Sequence, residues 1–555
     1  MKRVSSDGHA KLRRVGLTAD SLARFVALAA SALIVAVGLS GCQTSTPRWA
    51  PAAPTPRASP SLAPSDPLPL SATPSPSTFT PISATFVSAL DGFALGIATC
   101  GGSVCTALEV TTDAGWSWVP GTGPAVPPGS LDHLRFANQD DGYAYGPQEL
   151  EATLDGGAQW FRSTYPGEAD GAVLLDLEAS GDWLVALVSA REGGSLQVSR
   201  SPVGRPVWTP IPGATLSGAS QGAPDLSVVG GWGFLLSGPS VVGGELSGAW
   251  TPHATGCPAN LQASERLAAD TAESPGWFLL GCSGPEEGAS APKVTMFSTD
   301  GGATYQPTGY TSLATPPSTG QLDAMATSDS GAAYMVTTAA DTSVYLLDGA
   351  EWEALVGSLG PGQQVKDFGF TNVAQGLLVL DSPTSGARAQ GELYLTRDAG
   401  ATWEEVDFSI TAPPGQCLVA NLSMAAGVQG AALGNTIAQI ILQTRGAPCS
   451  MEGYPVVTLS GADGYAATTA QPSPSSYIFQ ARPEIPVVIS EGTPASFYLS
   501  DTDAPQGDAS SCPEFTSLTV SVPGGTMSSS IDLSMCTLPP LVSIVVEGVH
   551  GLSAG

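Results

Sequence analysis

Two carboxylates held about 5–9 Å apart across a cleft can cleave a glycosidic bond, one as acid and the other as nucleophile or base. Asp140, Asp141, Glu286 and Glu287 fall in turn-rich stretches and are the candidates for such a pair. Spacing along the chain does not say which two of them would converge. Gly218-Ala219-Ser220-Gln221-Gly222 fits the G-x-S-x-G pattern of a nucleophilic serine. That chemistry needs a strand-to-helix turn with His and Asp partners, and no helical pattern follows. With 66 glycines in 555 residues, about one such match arises by chance. His133, His253 and His550 are far apart and form no H-x-x-x-H pair, so no metal site and no cofactor are expected. Trp49 and Trp116 could stack on sugars, although Trp116 is expected to pack along its own hairpin.

No reaction emerges from these residues alone, so the elements that would position them carry the reading. The first 24 residues hold Lys2, Arg3, Lys11, Arg13, Arg14 and Arg24, and an uncharged, mostly apolar stretch runs from Phe25 to Gly38. Fourteen residues suit the core of a signal peptide and fall short of the roughly 18–20 that span a bilayer. Leu39-Ser40-Gly41-Cys42 then resembles the lipobox of bacterial lipoproteins. The resemblance implies cleavage after residue 41, acylation of Cys42, and a place on the outer face of the cytoplasmic membrane. One acyl chain holds only marginally, and a diacylglyceryl group supplies the second. Eleven prolines between Pro47 and Pro81, interleaved with Ser, Thr and Ala, make residues 42–80 an extended linker.

Export sets the redox compartment. Besides Cys42 the chain has Cys100, Cys105, Cys257, Cys282, Cys417, Cys449, Cys512 and Cys536, an even number, as an extracellular disulfide framework requires. Pairing of sequence neighbours is the expectation, among many connectivities that eight cysteines allow. Cys100-Gly101-Gly102-Ser103-Val104-Cys105 reads as a tight hairpin that sets two cysteines on facing strands. The expected mature chain keeps 14 of 20 basic and 47 of 49 acidic residues, a net charge near −33. Such a surface repels phosphate backbones, so nucleic-acid binding is not expected.

Two elements recur between the linker and residue 412. The first pairs a glycine with an apolar run, as in Asp91-Gly92-Phe93, Asp141-Gly142-Tyr143, Gly181-Asp182-Trp183, Gly231-Trp232, Gly276-Trp277, Gly331-Ala332 and Gly376-Leu377. The second is an aromatic at Trp118, Trp160, Trp208, Trp250, Tyr305, Trp352 and Trp403. The two series interleave seven times at a period typical of four-stranded propeller blades.

Four of the aromatics close the pattern S/T-x-D-x-G-x-x-W/Y, at Thr111–Trp118, Thr153–Trp160, Ser298–Tyr305 and Thr396–Trp403. This pattern resembles the Asp-box, or bacterial neuraminidase repeat. Asp113, Asp155, Asp300 and Asp398 are expected to lock turns, each bonding its backbone two residues on, with glycine supplying positive φ. The family places these boxes at blade edges, away from the axis. The region resembles the Asp-box propellers of the photosystem II assembly factor, sortilin-type receptors, xyloglucanases and sialidases. A sialidase would need an arginine triad, and Arg135, Arg162, Arg191, Arg200, Arg205, Arg266, Arg388 and Arg397 include none in an Arg-Ile-Pro motif.

Residues 413–555 change tempo, with short alternating runs such as Val456–Leu459, Ser496–Leu499 and Leu518–Val522. Such runs, with two cysteine pairs, suggest an Ig-like sandwich. Cys449-Ser450-Met451-Glu452-Gly453-Tyr454-Pro455 resembles the signature of an actinobacterial extracytoplasmic domain of unknown function. Glu491 stands where that family has proline.

The expected protein is therefore all-β: a signal peptide (1–41), a linker (42–80), a seven-bladed propeller (81–412) and an Ig-like sandwich (413–555). The absent catalytic signatures favour a non-catalytic, lipid-anchored surface protein that binds or scaffolds a protein or glycan through a loop face. An extracellular polysaccharide-active hydrolase and an assembly factor for a membrane complex stand as alternatives.

Overall fold

The computed structural model describes residues 78–551 apart from 191–193, 205–206, 218–223, 262–263, 270–275, 286–289, 308–315, 329–331, 349–350, 357–358, 360–362, 383–389, 412–413, 433–434, 452–454, 462–465, 469–485, 491–493, 503–511, 523–524, 537–544 and 547–549. The expected signal peptide, Cys42, Trp49 and the linker up to residue 77 lie outside the described residues, and Thr80, the expected end of the linker, already belongs to the first strand. Gly218–Gly222, Glu286, Glu287, Arg191, Arg205, Arg388 and Glu491 also lie outside the described residues.

Seven four-stranded antiparallel sheets follow one another, each with its strands in sequence order. The first is β1 (Thr80–Phe86), β2 (Gly92–Cys100), β3 (Ser103–Thr111) and β4 (Val119–Pro120). The second is β5 (His133–Phe136), β6 (Asp141–Gly146), β7 (Glu149–Leu154) and β8 (Phe161–Arg162). The third is β9 (Val173–Ser180), β10 (Trp183–Ser189), β11 (Leu196–Pro202) and β12 (Thr209–Leu216). The fourth is β13 (Asp225–Val229), β14 (Trp232–Ser237), β15 (Ser240–Glu245) and β16 (Thr251–Ala254). The fifth is β17 (Ser264–Ala269), β18 (Phe278–Ser283), β19 (Lys293–Ser298) and β20 (Gln306–Pro307). The sixth is β21 (Gln321–Thr327), β22 (Ala333–Thr338), β23 (Thr342–Asp348) and β24 (Glu351–Val356). The seventh is β25 (Gln364–Phe370), β26 (Gly376–Ser382), β27 (Gln390–Thr396) and β28 (Glu404–Glu405).

The first strand of each sheet touches the first strand of the next, and β25 touches β1, so the seven close into a ring. This is a β-propeller with its first strands around the axis. Apolar clusters fill the wedges between sheets. Leu95, Leu108, Leu134 and Ala144 join the first two sheets, and Val336, Val344, Leu378 and Leu380 join the last two.

The recurring sequence elements explain the strands. In the first, second and seventh sheets the glycine stands at the start of the second strand because there is no room for a side chain, whereas Gly181, Gly231 and Gly276 precede their strands at positive φ. A Cβ on Gly92 would meet the Phe86 ring at 2.6 Å, and one on Gly142 or Gly376 would meet Phe136 or Phe370 at 2.4 and 2.8 Å. Each of these phenylalanines is the register partner of its glycine. The aromatic series marks the fourth strands, with Trp118, Trp160, Trp208, Trp250, Tyr305 and Trp403 each one residue before its strand and Trp352 inside β24.

The first and last sheets meet through β1 against β25, β26 and β27, and also through residues outside the strands. Phe408, beyond β28, packs on Phe79 and on Trp118, with centroids 4.6 and 5.2 Å away. The Trp118 amide donates to the Ile410 carbonyl at 2.9 Å. Glu109 of β3 lies opposite Ala94, fully buried, with no hydrogen-bond partner for either oxygen. Burial pushes its carboxyl up to about 7.

Beyond the ring, β29 (Leu422–Ala432), β30 (Asn435–Thr444), β31 (Cys449–Met451), β32 (Val456–Ser460), β33 (Ala466–Thr468), β34 (Val487–Ile489), β35 (Ala495–Thr502), β36 (Glu514–Val522), β37 (Gly525–Ser534), β38 (Val545–Val546) and β39 (His550–Gly551) complete the chain. One sheet runs β29-β30-β35-β38 with β39 on β35, another runs β33-β32-β36-β37, and β31 pairs β34. A single core holds the two larger sheets face to face as a sandwich, with Ile440, Leu442, Phe497 and Leu499 from one and Val457, Leu459, Leu518 and Val520 from the other. Four disulfides join sequence neighbours: Cys100–Cys105, Cys257–Cys282, Cys417–Cys449 and Cys512–Cys536. In the first hairpin Cys100 lies opposite Ser103 and Cys105 opposite Ala98, around Gly101 and Gly102 at φ 57° and 89°. Among the described residues no helix is long and apolar enough to cross a membrane.

Candidate functional site on the propeller axis

The first strands bring polar side chains to the axis from every sheet of the ring. A cavity of about 470 Å³ is lined there by Arg135, Asp176, Glu178, Asp225, Arg266 and Asp323, with Leu226, Val228, Met325, Phe368 and Phe370 among its apolar walls. Its polar groups form two clasps. In the first, Arg135 of β5 pairs with Asp367 of β25 at 3.0 Å and with Glu178 of β9 at 3.3 Å. Ser83 of β1 donates its hydroxyl to Asp367 at 2.8 Å and accepts the Leu134 amide at 3.0 Å. Four consecutive sheets, the seventh through the third by way of the first, are thus linked through one guanidinium and one hydroxyl. In the second clasp, Asp225 of β13 accepts the Leu267 amide at 2.8 Å, and Arg266 of β17 donates to the Asp323 carbonyl of β21.

The electrostatics follow from burial. It works against the Arg135 charge, but Asp367 and Glu178 outweigh it and hold the guanidinium above its ordinary range. Burial pushes Glu178 up to about 7 against the pull of Arg135, and Asp225 up to about 6 against Arg266. Asp323 is also raised by burial. Tyr145 donates its hydroxyl to Asp176 at 2.9 Å, and burial and that carboxylate hold the phenol above its usual range. A pair of raised carboxyls in a cleft can store a proton near neutral pH.

The four S/T-x-D-x-G-x-x-W/Y segments lie elsewhere. Each spans the turn from the third to the fourth strand of the first, second, fifth or seventh sheet, and none of their aspartates lines the axial cavity. Their geometry repeats closely. Asp398 accepts the Thr402 amide at 2.8 Å, the Thr402 hydroxyl at 2.7 Å and the Thr396 hydroxyl at 2.9 Å. Asp113, Asp155 and Asp300 bond the amides of Ser117, Gln159 and Thr304 at 2.8–2.9 Å. The expected bond two residues on is corrected: the partner amide is four residues on. Two successive positive-φ residues bring it within reach of the carboxylate, Ala399 and Gly400 at 62° and 87° in the last turn. The hydrogen bonds to Thr304 hold the Asp300 carboxyl below the usual carboxylate range. We expect Asp398→Ala to lower the free energy of unfolding by about 1–2 kcal/mol, read from the urea midpoint, since it removes three local bonds at a partly solvated site.

The other candidates do not converge on the axis. Asp140 ends the turn before β6 and Asp141 is that strand's first residue; both amides donate to Asn138, and the Asp141 carboxylate accepts its side-chain amide. Arg162 of β8 pairs with Glu149 of β7 and with Glu168 in the short 3-10 turn that follows β8. Arg200 donates to the Leu246 carbonyl and lies 4.5 Å from the Trp183 ring. His133 stacks on Tyr145, and His253 sits in β16. Trp116 does not pack along its own hairpin. The Arg397 guanidinium lies 3.7 Å over its ring, and its indole N–H donates to the Pro486 carbonyl in the C-terminal domain. Burial pushes Arg397 down to about 10 despite Glu404 at 3.0 Å. A ring covered in this way is no platform for a sugar. Among the described residues no group of three His, Cys, Asp or Glu side chains is placed to hold a metal ion.

The fold and the axial site define a β-propeller protein with a C-terminal β-sandwich. A family described as a domain of unknown function (DUF4232) matches residues 417–547, which covers the sandwich. No curated protein matches the chain. Among solved structures, the chain is similar to YCF48 bound to a D1 peptide, with 17% identity over 60% of this chain and 98% of that one, TM-score 0.41. YCF48 from Cyanidioschyzon merolae is similar at 13% identity over 56% of this chain and 94% of that one, TM-score 0.36. An ancestral GH74 enzyme is similar at 9% identity over 82% of this chain and 63% of that one, TM-score 0.37.

Proposed function

We propose that this chain is a non-catalytic binding or scaffolding protein of the cell surface. In this reading it is anchored through lipidated Cys42 to the outer face of the cytoplasmic membrane, and the linker carries an Asp-box propeller and an Ig-like sandwich. One observation carries the reading. Arg135, Glu178 and Asp367 are engaged with one another, and Asp225 and Arg266 with the backbone of the next sheet, so they shape a recognition surface rather than present a free nucleophile or base. The partner is a protein or a glycan, engaged at the axial end of the ring.

A second reading, a polysaccharide-active hydrolase, is favoured by the raised carboxyls of Glu178 and Asp225, one of which could serve as the acid. Glycan arrays run beside release assays on extracellular polysaccharides separate the two. Binding without release supports the first reading. Product formed by the parent and lost in E178Q or D225N overturns it.

A further inference from the structure

Two residues depart from the pattern of the four Asp-box turns, and they touch. The position after the glycine is alanine in three turns, at Ala158, Ala303 and Ala401, and tryptophan in the first, at Trp116. The position before the aspartate is Thr112, Leu154 and Thr299 in three turns, and arginine in the last, at Arg397. All four turns make the same aspartate-to-amide bond, so neither departure serves the turn itself. The Arg397 guanidinium lies 3.7 Å over the Trp116 ring, and its Nε donates to the Ala114 carbonyl at 3.1 Å. The last sheet thus grips the first at the joint where the ring closes.

The C-terminal domain reaches the same turn by two routes. Beyond β28 the chain crosses Trp118, with Phe408 on its ring and the Ile410 carbonyl on its amide. It then runs beside β31. Cys417 donates its amide to the Ser450 carbonyl at 2.8 Å, the Ser450 amide donates to the Gly415 carbonyl at 3.0 Å, and a disulfide joins Cys417 to Cys449. β31 pairs β34, and Pro486, the residue before β34, accepts the Trp116 indole N–H. The connector therefore leaves the first turn at Trp118, and the sandwich returns to it at Trp116.

We propose that the sandwich domain fastens the closing joint of the propeller, seated on Trp116 and Arg397, so that the joint and the seat of the sandwich loosen together. The seven sheets share no strand across that joint, so no backbone ladder holds it. A second attachment made by a segment already tethered nearby forms at high effective concentration, and it restrains the two sheets without a large interface. This fastening does not depend on what the axial cavity binds.

The test is hydrogen exchange of the full chain, read by mass spectrometry on peptides covering single strands, in the parent, Trp116→Ala and Trp116→Phe. Phenylalanine keeps a ring beneath Arg397 and removes the N–H that reaches Pro486. In Trp116→Ala we expect exchange to quicken about tenfold in β34 and in β1 and β27, with β14 and β15 of the fourth sheet at the parent rate. Trp116→Phe should quicken β34 about threefold, and β1 and β27 by a smaller, measurable factor. Quickening confined to residues 113–117 overturns the proposal. So does a change in β34 that leaves β1 and β27 at the parent rate, since the sandwich would then merely rest on the ring. A change in β1 and β27 without β34 overturns it as well, since Trp116 would then act within the propeller alone. If Trp116→Ala fails to fold, Trp116→Phe decides, and parent rates in either set of strands overturn the proposal.

Discussion

Arg135→Ala lowers the free energy of unfolding by about 3–5 kcal/mol, the expected cost of removing one partner from a buried ion pair. The magnitude follows from what is left behind. The Arg135 side chain is only 20% exposed, and Asp367 and Glu178 are 9% and 23% exposed. Without the guanidinium, Asp367 keeps the Ser83 hydroxyl and Glu178 loses its ion-pair partner. The sign of the pH dependence is fixed by the direction of the shifts. Glu178, Glu109 and Asp225 have folded-state values of about 7, 7 and 6, all above the ordinary carboxylate values of 4.5 and 3.8. Between those limits the folded chain holds more protons than the unfolded one, so stability falls as pH rises. The contribution of these groups is fully present below about pH 4 and lost by about pH 7. Arg135→Ala removes the group that pulls Glu178 down, so its deficit is larger at pH 8 than at pH 5.5. Urea unfolding at the two pH values, followed by tryptophan fluorescence, reads both effects. Replacing Arg135, Asp367 and Glu178 together by apolar residues should recover most of the loss. A single-variant deficit under about 1 kcal/mol at pH 8 would mean that the clasp adds nothing to the ring.

Local rules carry the fold into the sequence, and distance hides the site from it. Gly142 opens a second strand because Phe136 occupies the space of its side chain, and that pair lies six residues apart. Thr396 and Thr402 flank Asp398 within one turn. Contacts of that range leave a repeating pattern, and the seven interleaved glycines and aromatics mark the seven sheets. The axial clasp joins Arg135 to Asp367 across 232 residues, and nothing near either position announces the other. Asp176 and Glu178 in Val173–Ser180 look like the solvent face of an alternating strand, since only ring closure turns that face toward other carboxyls. A usable signal existed: the first strands carry Arg135, Asp176, Asp225, Arg266, Asp323 and Asp367, where a wholly apolar axis would need none of them. The cover on Trp116 was equally out of reach, because Arg397 comes from the last sheet in sequence and Pro486 from the next domain.

Ring closure yields the other large effect. A propeller whose sheets are each made of consecutive strands has no shared sheet to hold its first and last members together, so side-chain packing must do it. Trp118, 1% exposed, stands at that junction with Ala84, Phe86 and Ala94 of the first sheet and Val379, Leu393 and Leu395 of the last. Phe408 packs on its ring, and its backbone amide holds Ile410. Trp118→Ala should therefore cost about 3–5 kcal/mol, the usual range for emptying a large buried aromatic site. The control is Trp160→Ala at the corresponding turn of the second sheet. Trp160 is half-buried, meets Phe136 edge-on and bonds the Thr122 carbonyl at 2.7 Å, between sheets already joined in sequence. Its loss should cost less, and amide exchange should be local to that turn. In Trp118→Ala, exchange should instead quicken in β1 and β27 together, because the two sheets part where no chain connection restrains them. Equal costs for the two variants, with exchange confined to each turn, would place the closure of the ring elsewhere than at Trp118.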